Sequence, residues 1–545
     1  MKFIRFLLAE SGRQGKQISL ATGFTGLISG FMVTIILGAA SAASDQSVSF
    51  RYLLIFAIAL TAMMIAKRYS LRQATVLTES IVERLRMRVT DKIRRAELFY
   101  FEKIGAEQFH NLLTTETQII SSTATMAINA AASLVMLTVA FGFVAFLSLP
   151  AFLLSLGAIA ITVFAYRISL RSVDPLLRQT IDQENRFFAL LLHLLRGFPE
   201  IKINMLKNRD LHDNYLCPAA ADLRKLKIET GYHFVNTTII TNSAFYILLA
   251  TIIFLLPRLF QCDPSVVMKV SGVMLFIFGP LGEVVGVIPF LAKASVSIDA
   301  VKNIESSLDN EVSRQPPIDF RRLPKTWDFD SIGVRNLEFQ YDNDDGTPGY
   351  ALGPLNINFS RGETVFIRGG NGSGKSTFLK LFTGLYHAKA GVITLDGNPV
   401  LPSQIQRFRE LFSIIFTDFH LFDRLYGLEV IDEDRIVQLI DQMGLSEKTA
   451  FYEGRFSNIE LSTGQRKRLA LITVLLENKP ILIFDEWAAD QDPTFRKHFY
   501  HDILPALKKE GKTIIAATHD DHYFHTADRV IEMDFGHFVE SAAEI

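Results

Sequence analysis

Along the first 300 residues the apolar positions come in long unbroken runs. They show neither the alternation of a half-buried strand nor the one-sided periodicity of a surface helix. Gln17–Ser44 holds no Asp, Glu, Lys or Arg and is flanked by Lys16 and Asp45. At about 1.5 Å per residue this run exceeds a hydrocarbon thickness of about 30 Å, and it is longer than the apolar core of a signal peptide. A second run, Tyr52–Ala66, is short, but the flanking Arg51 and Lys67 have stems that reach outward to water. The uncharged block Thr117–Tyr166 is too long for one span and suits two, joined by a turn near Leu149-Pro150. Runs near His233–Leu256 and Ser265–Ala292 complete six predicted spans.

The charges between the runs predict orientation. Lys2, Arg5, Arg13 and Lys16 precede the first span, Lys67, Arg68 and Arg72 follow the second, and Arg167 and Arg171 follow the fourth. The opposite loops carry few charges, including Arg51, Arg258 and Lys269, so the N-terminus is expected to be cytoplasmic. Arg72–Glu116 and Arg167–Thr230 are charged and helix-patterned, and they extend the membrane helices below the bilayer. Within the first of these segments, Phe99, Tyr100 and Phe101 form an aromatic group that needs a partner surface.

Composition agrees with a membrane half joined to a soluble half. Hydrophobic residues make up 49% against 21% charged, and mean hydropathy is +0.23. A formal net charge of -1 gives no basic excess for a nucleic-acid partner. The two cysteines, Cys217 and Cys262, fall on opposite sides of the membrane in this topology, and their spacing predicts neither a disulfide framework nor a metal site. Two features of the spans bear on packing and cargo. Gly26 and Gly30 have the spacing that lets membrane helices approach closely. Glu283, among Gly279, Pro280 and Gly282, is an acidic group within a span, costing about 3 kcal/mol on insertion scales. It is a candidate contact for a cationic substrate or a proton, and the Gly and Pro around it are expected to interrupt the helix.

Residues 1–308 therefore read as the membrane domain, 309–326, with Pro316, Pro317 and Pro324, as a linker, and 327–545 as a second domain. Here the pattern changes to short apolar strands alternating with helices, the signature of an α/β fold. Val334–Phe339 is strand-like and leads to Tyr341. The strand Glu363–Arg368 runs into Gly369-Gly370-Asn371-Gly372-Ser373-Gly374-Lys375-Ser376, a phosphate loop in its strand–loop–helix context. Glycines let backbone N–H groups approach phosphate, and the helix N-terminus adds positive potential. Lys375 suits the β and γ phosphates of ATP, Ser376 a Mg²⁺ ion, and Thr377 adds a second hydroxyl. Ile481–Phe484 form a buried strand that delivers Asp485 to the metal, with Glu486 next to it as the base for the attacking water. Ile514–Thr518 ends at His519.

The phosphate loop, Leu461-Ser462-Thr463-Gly464-Gln465 and Ile481–Glu486, in that order, resemble the ATPase domain of ABC transporters. The resemblance implies an α-helical six-span exporter-type membrane domain followed by an α/β P-loop ABC ATPase. It implies that Tyr341 stacks on adenine and that His519 reads the γ-phosphate. Ser462, Gly464 and Gln465 would meet nucleotide held by a second copy, and Asp492 would report between two ATP sites, so a homodimer is expected. Phe99–Gly105 and Met205–Tyr215 resemble the coupling segments that rest on the ATPase. Two departures stand out: Thr463 replaces the first glycine of the usual Leu-Ser-Gly-Gly-Gln, and Thr417 stands where a metal-side Gln is usual, with Asp418 beside it.

Asp485–Pro493, Phe416–Asp418 and Thr518–Phe524 narrow the resemblance to bacterial exporters of cyclic peptides, lipopeptides and peptidic siderophores, similar to microcin-type, pyoverdine and syringomycin exporters. The expectation is ATP-driven export of such a cargo across the bacterial inner membrane, with membrane lipid around it and an outer-membrane channel as a possible further partner. Lipid flipping, siderophore import and a regulatory membrane ATPase without net transport share the architecture.

Overall fold

The computed structural model describes residues 2–44, 50–260, 262–313, 328–342, 347–428 and 432–539. It divides into two units, one formed by Met1–Met87 with Asn111–Val301 and the other by Arg88–His110 with Lys302–Ile545. Most of the predicted linker, and Trp327, lie outside the described residues.

The uncharged runs of the first unit are helical, because a chain in hydrocarbon must satisfy its backbone internally. Among the described residues, five helical stretches are long and apolar enough to cross a membrane: Gln14–Ala39, Phe50–Ile93, Ala106–Leu147, Met205–Phe260 and Pro264–Asp309. A shorter apolar stretch, Leu149–Thr162, begins the helix Leu149–Arg196. The long uncharged block breaks where expected. Ser148 adopts extended backbone, and its hydroxyl accepts from the Ala151 N–H at 3.4 Å, with Pro150 in the first turn beyond it. Gly26 and Gly30 do bring two helices close: a Cβ at either would lie 2.7 Å from the Cβ of Val135 or Val139 on the helix Thr117–Leu147. The expected interruption at Pro280 does not occur. Helix Pro264–Gly286 runs through it and ends only at Val287, since losing one N–H and tilting one turn costs less than exposing several backbone groups.

In the second unit a six-stranded sheet has the order His537–Val539, Arg529–Asp534, Thr364–Arg368, Thr513–Ala517, Ile481–Asp485, Phe412–Ile415. All neighbours are parallel except the edge hairpin His537–Val539 with Arg529–Asp534. Central strands buried on both faces explain the continuous apolar runs read from the sequence. Alternate residues split between two cores. Phe366, Leu482, Phe484, Ile514 and Ala516 face one that includes Leu469, Leu471, Phe499 and Leu504 of the helical side. Val365, Ile367, Ile481, Ile483 and Ile515 face the other, closed by Phe378, Leu379 and Phe382 of helix Lys375–Phe382 and by a four-stranded antiparallel sheet built on Ser331–Asp342 and Pro348–Ser360. Three adjacent parallel strands thus end together at their carboxyl edge, where ligands bind in open α/β sheets.

The short helix Leu98–Ile104 belongs to this same unit. Phe99 packs between Phe339, Tyr341 and Tyr386, with ring centroids 5.5–5.7 Å away. Glu102 pairs with Lys380 at 2.8 Å and accepts a hydrogen bond from the Tyr386 hydroxyl. Phe99 therefore has its partner surface, whereas Phe101 stacks locally on Phe109 of the helix Ala106–Asn111. Burial and then the Glu102 hydrogen bond push the Tyr386 phenol far up from its ordinary value, keeping it a donor.

Candidate active site

At the carboxyl edge, Ala517 pairs with Ile367 on one side and Asp485 on the other, so the phosphate loop, Glu486 and His519 are neighbours although far apart in sequence. The loop's turns need left-handed backbone. Gly374 has φ 108° and is packed so closely that a Cβ there would lie 2.5 Å from the Tyr350 hydroxyl, which itself donates to the Ser373 carbonyl at 2.9 Å. The Ser373 hydroxyl is buried with no hydrogen-bond partner among the described residues, an orphan donor inside a loop shaped for anions.

Lys375 is the hub of the site and is almost wholly buried. Its ammonium donates to the Gly369 and Gly370 carbonyls at 2.8 and 3.2 Å, lies 3.1 Å from His519 Nε2, and sits 3.4 Å from Glu486 Oε1. His519 Nε2 is in turn 3.0 Å from the same Glu486 oxygen. Ammonium, carboxylate and imidazole thus close a triangle beside the phosphate loop, with the Glu486 carboxylate paired to the lysine.

Glu486 is held in a backbone conformation that side chains disfavour, with φ 50° and ψ 35°, at a cost of order 1–3 kcal/mol. Its N–H donates to the Ala517 carbonyl at 2.9 Å, and its own carbonyl accepts from the Lys467 ammonium at 2.8 Å. Lys467 is 1% exposed and also pairs with Asp490 at 2.6 Å. Trp487, equally buried, donates its indole N–H to the Lys467 carbonyl at 2.9 Å. The sequence offered no signal for Lys467, since a lysine in a charged helical stretch reads as a solvated face. Lys467→Met should lower kcat for ATP hydrolysis about 10-fold, equivalent to about 1.4 kcal/mol, with KM unchanged and partial rescue by Lys467→Arg. Steady-state kinetics at saturating ATP check this.

Asp485 is nearly fully buried, and its Oδ1 has no hydrogen-bond partner among the described residues. Burial pushes its carboxyl up, while the hydroxyls of Ser376 and Thr417 act in the opposite direction. A buried orphan oxygen beside a serine hydroxyl, next to a phosphate cradle, is the donor set that suits a hard divalent cation such as Mg²⁺. Of the two residues standing near the missing Gln, both are exposed, and Thr417 donates to the Asp485 carbonyl at 3.3 Å.

Tyr341 lies beside the loop's helix, its hydroxyl 3.2 Å from Thr377 Oγ1 and its ring 5.0 Å from that of Phe339. Ser462 caps helix Thr463–Glu477, where Gln465 Oε1 accepts from the Ser462 N–H at 3.2 Å. The replaced signature glycine is explained here. Thr463 is exposed, with room for a side chain, whereas a Cβ on Gly464 would meet the Asp490 carbonyl at 2.6 Å. Gln491 Nε2 donates to the Gly464 carbonyl at 3.0 Å, tying this turn to the segment after Glu486. Asp492 caps the next helix through the Phe495 N–H at 2.9 Å and pairs with Arg468, and these contacts hold its carboxyl below the usual range. Its side chain is therefore already engaged within its own chain.

Glu283 belongs to the first unit. It accepts a hydrogen bond from Ser133 on helix Thr117–Leu147 and is otherwise exposed. Around Gly279, Gly282 and Gly286, on the same helix, space is open.

Residues 352–489 match the family model described as ABC transporter, and residues 18–203 match that described as ABC transporter transmembrane region. The chain is 29% identical over 530 residues to ATP-binding protein SyrD of Pseudomonas syringae pv. syringae, covering 95% of this chain and 93% of that one. Its ATPase part is 32% identical to energy-coupling factor transporter ATP-binding protein EcfA1 of Mycoplasma mobile, over 38% of this chain and 79% of that one. A solved bacterial Atm1-family ABC exporter with ATP bound shares the fold, with TM-score 0.77 at 17% identity over 98% of this chain and 95% of that one.

Proposed function

The chain belongs to the ABC transporter family, an ATP-hydrolysing exporter with membrane and ATPase parts fused in one polypeptide, and we propose that it carries a cyclic or modified peptide, or a peptidic siderophore, outward across the bacterial inner membrane. The observation that carries this reading is the alignment with SyrD, which runs through the membrane half as well as the ATPase. The cargo class rests on the likeness of Asp485–Pro493, Phe416–Asp418 and Thr518–Phe524 to peptide exporters.

In this reading ATP enters the loop Gly369–Gly374, Tyr341 takes the adenine, and the phosphates replace Glu486 as the partner of Lys375. Ser376 and Asp485 would hold Mg²⁺, whose charge offsets that of the transferring phosphoryl group, with Thr417 beside them. Glu486, released from Lys375, is free to orient water, and His519 senses the γ-phosphate. Ser462, Gly464 and Gln465 are exposed or half-buried in one chain, which suits closure on nucleotide held by a second copy in a homodimer. The contact of Phe99 with Tyr341 offers a direct route by which nucleotide occupancy reaches the membrane helices through Leu98–Ile104. In this reading the ATPase lies in the cytoplasm, and Glu283, with Ser133 beside it, meets the cargo.

The test compares cell contents and medium by mass spectrometry in the native host carrying wild-type or Glu486→Gln protein. A peptide or siderophore retained inside only with the variant is the expected result. Loss of uptake instead would make it an importer, and a change confined to lipid distribution would make it a flippase.

A further inference from the structure

Outside the nucleotide site, three residues of metal-ligating type converge on one exposed turn. Helix Met205–Asp210 continues into a π turn, Leu211–Leu216, and then into helix Cys217–Ala250. The cause is local. Pro218 has no N–H to donate and its ring crowds the preceding turn, so the backbone widens ahead of it. The widening is closed by a hydrogen bond from the Cys217 N–H to the His212 carbonyl, five residues back. In a regular α-helix residues five apart diverge by about 140° around the axis. The π bond stacks them instead.

As a result Cys217 Sγ lies 3.6 Å from His212 Nδ1 and 3.8 Å from Nε2, and Asp213 Oδ1 lies 2.8 Å from the same Nδ1. One ligand atom from each of the three falls within 4.8 Å of the others. A tetrahedral ion with a metal–sulfur bond of about 2.3 Å and a metal–nitrogen bond of about 2.0 Å has a sulfur–nitrogen edge of about 3.5 Å. The sulfur–imidazole separation already matches that edge. The His212–Asp213 hydrogen bond is shorter than a nitrogen–oxygen edge, so it opens slightly when both atoms turn to a metal. Asp213 also faces Arg209, whose Nε is 3.6 Å from its other oxygen, a contact along one exposed helix face that leaves Oδ1 available.

We propose that His212, Asp213 and Cys217 bind one divalent transition-metal ion of the zinc type, with solvent completing the coordination. The mixed sulfur, nitrogen and oxygen set selects against Mg²⁺ and Ca²⁺, which take oxygen ligands, and a single thiolate is a poor cage for copper(I). All three side chains are exposed, so the ion reaches them without unfolding the chain. Bound there, it staples the π turn that follows Met205 and Leu206, themselves 85% and 78% exposed, and so stiffens a segment that resembles a coupling element.

The probe is Co²⁺ added to the metal-free, full-length protein in detergent without nucleotide, followed by displacement with Zn²⁺. The expected result is one Co²⁺ per chain with a sulfur-to-cobalt charge-transfer band in the near ultraviolet and tetrahedral visible bands. The charge-transfer band should vanish in Cys217→Ser, persist in Cys262→Ser, and need at least about 10-fold more Co²⁺ in His212→Ala or Asp213→Asn, in line with the loss of one ligand. Unchanged melting temperatures of the metal-free variants exclude misfolding as the cause. No charge-transfer band in the wild-type protein, a band that survives Cys217→Ser, or equal affinity in His212→Ala would each overturn the proposal.

Discussion

Glu486→Gln should lower the rate of ATP hydrolysis about 10²–10⁴-fold, the usual contribution of a positioned base, while ATP binding is retained or strengthened. The reason for strengthening lies in the position of the Glu486 carboxylate. Glu486 Oε1 sits 3.4 Å from the Lys375 ammonium and 3.0 Å from His519, so the carboxylate competes with phosphate for both. Gln is close to isosteric and keeps a hydrogen-bonding oxygen, but removes the negative charge that incoming phosphate must displace. The backbone anchors of Glu486, the Ala517 and Lys467 contacts, do not involve its carboxylate and should survive. Single-turnover hydrolysis measures the first effect and equilibrium binding of a fluorescent ATP analogue the second. A variant that binds ATP more weakly than wild type would show that the Lys375 pair does not oppose nucleotide entry.

Lys375→Met should weaken ATP binding about 100-fold, close to 2.7 kcal/mol. Two losses combine. The phosphates lose a charge-assisted donor, and Gly369 and Gly370 lose the ammonium that their carbonyls share, which loosens the loop itself. In addition Glu486, whose side chain is about a quarter exposed, is left without its cation and repels the incoming triphosphate. The last effect makes the two variants interdependent. In Lys375→Met with Glu486→Gln the binding loss should be smaller than in Lys375→Met alone, because the repelling charge is gone. A binding titration of all four proteins gives this coupling directly, and strict additivity would show that the pair contributes nothing to affinity.

The difference between what a sequence displays and what it hides is clear in particular residues. Lys375 is legible from the spacing of the phosphate loop, and Asp485 and His519 because each ends a short apolar strand, which a parallel sheet brings to one edge. The turn near Leu149-Pro150 was legible because the uncharged block is too long for one span and Pro150 is a local signal, whereas the Ser148 cap shows only in the structure. Lys467 was not: its role arises from burial against Glu486 and Asp490, which no local pattern encodes. The expected break at Pro280 also misled, because a backbone with no water to turn to keeps its helix.

The sequence by itself determined the membrane spans, the alternation of strand and helix in the ATPase, and the chemistry of the phosphate loop. These follow from run length, periodicity and residue spacing, which act over a few turns of chain. Only the tertiary structure decided that Phe99 packs on Tyr341, that Lys375 and Glu486 neutralise each other, that Thr463 has room where Gly464 has none, and that a π turn stacks Cys217 over His212. The first three depend on which distant segments share a surface, and the last on a backbone bond five residues long that the usual helical period does not predict.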